Sequence, residues 1–85
     1  MKANIFEKHQ RLVDKGIVIT VEPINQIENG QKSKVQSGEI PLVTFTGYIL
    51  DTNSDVLEYG ESCDTFQDAF EKAIQLGEKI NRGDD

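Results

Sequence analysis

The chain has no tryptophan, a single cysteine (Cys63), two prolines and six other aromatic residues among its 85 positions. One cysteine excludes an internal disulfide and a four-thiolate metal site. The longest apolar runs are about five residues, far short of the roughly 20 needed to span a bilayer. Base is scarce too: nine Lys and Arg stand against fifteen Asp and Glu, for a net charge of −6. A negative field discourages non-specific binding to nucleic acid or anionic lipid. What remains, 36% hydrophobic and 28% charged, is the composition of one small globular domain over residues 1–85. With neither disulfide nor structural metal to staple it, such a domain depends on close packing or self-association. The unpaired cysteine, and a start without an apolar signal-type run, point to the cytoplasm.

The charge is unevenly placed. Residues 1–34 sum to +2 and residues 35–85 to −8. The positive half has one ordered feature. Residues 3–15 take a helical period that gathers Ile5, Phe6, His9, Leu12 and Val13 on one face and Lys8, Arg11 and Lys15 on its flank. Gly16 suits the end of that helix.

β-branched residues then predict a strand over 17–22, with Pro23 ending it or lying on an edge. Residues 25–40 are polar, and Asn29-Gly30 marks a turn. They predict a long mobile loop or a hairpin extension, carrying Lys32 and Lys34. Residues 42–50 alternate, with Val43, Phe45 and Ile49 on one side and Thr44, Thr46 and Tyr48 on the other. Residues 56–63 read as the returning strand, with Leu57 and Tyr59 toward the core and Glu58 outward. Residues 65–82 form an amphipathic helix whose stripe is Phe66, Ala69, Phe70, Ala73, Leu76, Gly77 and Ile80. Asp64 or Thr65 caps it, and residues 83–85 read as a frayed tail. The fold class expected is α+β in the order α-β-β-β-α, a three-stranded antiparallel sheet with two helices packed on one face.

That order resembles the double-stranded-RNA-binding domain, a likeness of topology. The family reads phosphate with lysines at the start of its second helix. The matching stretch here, Asp64-Thr-Phe-Gln-Asp-Ala-Phe-Glu-Lys72, is acidic. Residues 56–80, with an acid–Thr–aromatic–x–acid–Ala entry to a terminal helix, are similar to small bacterial proteins of phage and mobile-element type. That likeness implies a fold and no activity.

Catalytic, cofactor and metal sites are not expected. Cys63 and His9 are the only residues of their types, and the expected roles are a small buried thiol and a half-buried imidazole touching the sheet. Asp51-Thr-Asn53-Ser-Asp55 resembles half a calcium loop. Val56 stands where the loop needs Gly, and Ser62 where it needs Glu, so a turn is expected. Gly47 and Gly60 are isolated and form no phosphate cradle. The outward sheet face, Thr20, Glu22, Thr44, Thr46, Tyr48 and Glu58, has one aromatic and is a poor platform for single strands. The function expected is a non-enzymatic binding domain that engages a protein partner or its own copy, with no membrane association. The alternative is a nucleic-acid-associated accessory protein of a mobile element, using Lys8, Arg11, Lys15, Lys32 and Lys34.

Overall fold

A computed structural model describes residues 4–83. It contains α1 (Ile5–Asp14), β1 (Val18–Asn25), α2 (Lys32–Gln36), β2 (Val43–Leu50), β3 (Val56–Cys63) and α3 (Phe66–Arg82). The order α-β-β-β-α is present, and α2 is added between β1 and β2.

Local chemistry sets the ends of the long helices. The Asn4 side chain accepts the Glu7 N–H at 2.9 Å at the start of α1. The Thr65 hydroxyl accepts the Asp68 N–H at 3.1 Å at the start of α3. These bonds satisfy amide donors that a helix leaves unpaired. Gly83, left-handed at φ 76°, closes α3, while residues 84 and 85 of the expected tail lie outside the described residues. Lys79 and Arg82 occupy the last turn, where the helix dipole favours positive charge.

The sheet order is β1-β2-β3, antiparallel throughout. β1 runs on through Pro23 to Asn25, which an edge strand permits. One face of the sheet carries Ile19 and Ile49, which join Leu12, Ile17, Ala73 and Ile74 in a single buried cluster. Ile49 is 0% exposed. Fully burying such a side chain contributes about 1.5–3 kcal/mol. α3 lies across all three strands, and α1 packs on α3 and the edge of β1. The approach of α3 is tight because Gly47 faces Ala69 and Ala73. A β-carbon at Gly47 would stand 2.6 Å from the Ala73 Cβ and 3.1 Å from the Ala69 carbonyl oxygen.

Several details depart from the sequence reading. Residues 25–40 do not extend a hairpin. Gln26 closes the neck, its N–H reaching the Leu42 oxygen at 2.8 Å and its side chain the Thr44 hydroxyl at 2.7 Å. Beyond it the chain winds into α2 instead of pairing. Ile74, outside the expected stripe, is among the most buried side chains, while Phe6, Val13 and Phe66 from the expected stripes are exposed. Leu57 and Tyr59 do not face the core. Two register irregularities in the β2–β3 ladder, between Thr46 and Tyr48 and between Ile49 and Leu50, break strict alternation. Tyr59 therefore pairs with Tyr48 on the open face and is 62% exposed, and Glu58 sits opposite the buried Ile49.

Candidate functional site

The four phenylalanines of the chain form one connected strip. The Thr65 cap starts α3 directly at Phe66, and Phe70 follows four residues later on the same face. Their rings stack at 5.9 Å between centroids. Phe45, near the start of β2, meets Phe66 edge-on at 6.2 Å. Phe6 of α1 meets Phe70 at 6.2 Å from the other side. Each such pair contributes about 0.5–1.5 kcal/mol beyond its buried area. The two outer rings remain open to solvent, Phe6 at 73% and Phe66 at 53% exposure. Exposed Glu7, Asp64, Asp68 and Glu71 neighbour these rings in the chain. Lys8 and Lys72 stand equally close to Phe6 and Phe70 in the chain. Periodicity assigned Phe6 and Phe66 to the core. The signal that could have found the strip is excess: each helix has more large apolar residues than three narrow strands can cover.

His9 packs its ring edge-on against Phe70 at 5.3 Å, so it touches α3 where a sheet contact was expected. Its Nε2 is buried and makes no hydrogen bond. Cys63 is buried, and its thiol donates to the Glu61 carbonyl oxygen at 3.6 Å. No hydrogen bond joins His9 to Cys63, so the pair lacks the nucleophile–base contact that catalysis by a thiol uses. At the β2–β3 turn, one Asp51 carboxylate oxygen accepts the N–H of Asn53 at 2.8 Å and of Asp55 at 3.0 Å. That oxygen is spent on the turn itself, as an Asx turn does. Among the described residues no group of three or more His, Cys, Asp or Glu is placed to hold a metal ion, and no helix is long and apolar enough to cross a membrane.

Lys8, Arg11 and Lys15 come together along one groove of about 270 Å³ between α1 and α3. Asp14 and Glu78 line the same groove. Lys32 and Lys34 ride on α2, which packs against no other described element. No contact between elements joins the two halves of the basic set.

The uncovered sheet face is more aromatic than the sequence suggested. Register places Val18, Leu50 and Val56 in one row and Thr20, Tyr48 and Tyr59 in the next. The two tyrosine rings meet edge-on at 5.2 Å, and the Tyr48 hydroxyl donates to Glu22. That hydrogen bond, with smaller contributions from burial and the Glu22 charge, raises the Tyr48 pKa above the ordinary 10.0. A raised folded-state value stabilises the fold fully below the unfolded value, and the contribution is lost as pH rises through the folded one. Glu22→Gln is therefore expected to bring the Tyr48 titration back toward the ordinary value. Tyrosinate absorbance in a Tyr59→Phe background checks this, and an unchanged titration would contradict it.

Comparison with known proteins found no matching family model, no matching curated protein and no matching solved structure.

Proposed function

We propose that this domain works by binding another protein, without catalysis, through the phenylalanine strip. The observation that carries the reading is the pair of open rings, Phe6 and Phe66, continuous with Phe70 and Phe45. Aromatic side chains are the common anchors of protein interfaces. Open rings of this kind fit a partner segment that presents apolar side chains. The net charge of −6 on each chain opposes pairing of the strip with a second copy.

The second reading is a nucleic-acid-associated accessory protein. One observation favours it: Lys8, Arg11 and Lys15 converge on a single groove. Asp14 and Glu78 within that groove offset the field a phosphate backbone would need. The protein-binding reading is the one we adopt.

Photo-crosslinking in the cell that makes the protein separates these outcomes. A benzoylphenylalanine at position 6 is expected to trap a distinct protein, and the same group at position 20, on the open sheet face, is expected to trap none. Adducts from position 20 alone, or from position 6 only to a second copy, would contradict the proposal.

A further inference from the structure

The turn that leaves β1 holds the one Asn-Gly pair of the chain, Asn29-Gly30, and both residues are exposed. An asparagine amide followed by glycine is open to attack by the next backbone nitrogen. Glycine has no side chain to crowd the five-membered ring that forms. The other asparagines precede Ile5, Gln26, Ser54 and Arg82, all bulkier. Asn29 is therefore where the chain modifies itself most readily once the Gly30 nitrogen is free.

In the folded chain that nitrogen is occupied. Gly30 is left-handed at φ 84° and ends one helical turn, as a glycine after a helix does. Its N–H donates to the Ile27 carbonyl oxygen at 3.1 Å, and the Gln31 N–H reaches back to the Gln26 oxygen at 2.8 Å. The leaving group is held as well, since the Asn29 side-chain amide donates to Gln26 Oε1 at 3.4 Å. The Gln26 Nε2 in turn donates to the Thr44 hydroxyl at 2.7 Å. One side chain thus ties the turn to the sheet. None of residues 26–42 belongs to the buried cluster, so the turn opens without disturbing the core. Local opening of this kind is far more frequent than global unfolding.

We propose that Asn29 is a succinimide-forming modification site gated by this turn, with Gln26 as the residue that keeps it shut. On opening, the Gly30 nitrogen gives up its proton to water and bonds to Asn29 Cγ. The Cγ–Nδ2 bond breaks, Nδ2 takes a proton, and ammonia leaves. Water then opens the ring at either carbonyl and leaves aspartate or isoaspartate. Either product adds a negative charge. Isoaspartate also adds a methylene to the main chain between the two ends of the Gln31–Gln26 bond. The isoaspartyl turn therefore does not close again, and α2 with Lys32 and Lys34 loses its fixed position. The inference concerns the β1–β2 connection and does not rest on the phenylalanine strip.

The test incubates the full chain in mildly alkaline buffer, folded and in guanidinium chloride. Conversion at each asparagine is read by peptide mapping with electron-transfer fragmentation, which separates isoaspartate from aspartate. In the unfolded chain Asn29 is expected to convert before Asn53. In the folded chain its conversion is expected to be about tenfold slower or more, the protection a closed turn gives. Gln26→Ala removes the tie and the acceptor for the Asn29 amide. It is expected to keep a cooperative melt and to convert at Asn29 about twofold to tenfold faster than the parent, the effect of one lost hydrogen bond. Thr44→Val, which cuts only the tie to the sheet, is expected to quicken Asn29 in the same range. Equal rates at Asn29 in the folded and unfolded chains, or earlier conversion at Asn53 in the unfolded chain, would overturn the proposal. So would a folded Gln26→Ala or Thr44→Val chain that converts no faster than the parent.

Discussion

Gly47→Ala is expected to destabilise the domain by about 3 kcal/mol, the upper part of the usual range for overpacking a core. The new β-carbon would meet Ala73 Cβ at 2.6 Å and the Ala69 carbonyl at 3.1 Å. Neither is the far end of a flexible side chain, so relief requires α3 to lift from the sheet. For a chain of this size that loss lowers the melting temperature by about 12–24 °C. Total stability in proteins of this length is roughly 4–13 kcal/mol, so the variant loses a large share of its margin. A double-mutant cycle identifies the cause. Ala73→Gly removes the closer obstacle, although glycine within a helix costs about 1 kcal/mol by itself. Thermal melts should show Gly47→Ala/Ala73→Gly less destabilised than the sum of the single variants by about 1 kcal/mol or more. Strict additivity would mean that the two positions do not meet.

The close contact also explains how much of the molecule the sequence made legible. The elements and their order followed from periods of 3.6 and 2 and from the Gly16, Thr65 and Pro23 signals. These are local effects. Ala69, Ala73 and Gly77, small residues on one helical stripe, already indicated a helix lying close to a sheet, and Gly47 supplies the other half of that contact. What failed was non-local. The bulges in β3 reverse Tyr59 and Glu58, and nothing in Val56–Cys63 marks the places where the ladder slips, although Gly60 lies within one of them. The winding of α2 is short and packs on no other described element, so no apolar period announces it. The candidate site was hidden for a related reason. Periodicity tells which residues share a helix face, not how wide a face the sheet can cover. Phe6 and Phe66 share stripes with Leu12 and Ala73 yet fall at the margin of a three-stranded sheet. The basic set was legible only as a list, since the fold gathers Lys8, Arg11 and Lys15 and leaves Lys32 and Lys34 on α2.

Phe6→Ser combined with Phe66→Ser is expected to abolish partner binding while leaving the domain folded. An aromatic anchor at the centre of an interface contributes about 2 kcal/mol or more when removed. A single anchor lost at that value weakens binding by roughly 30-fold, and two lost together weaken it further. The fold loses three aromatic contacts, Phe6 with Phe70 and Phe66 with Phe45 and Phe70. That amounts to roughly 1.5–4.5 kcal/mol at most, less at these exposed positions. The buried cluster around Ile49 and Ile74 is untouched. The decisive measurement is therefore the affinity of the partner trapped at position 6 for the unaltered chain and for this double variant, with a melting curve for each. We expect a cooperative melt in both and a loss of at least about 30-fold in the variant. A folded double variant that holds the same partner with undiminished affinity would contradict the role of the phenylalanine strip.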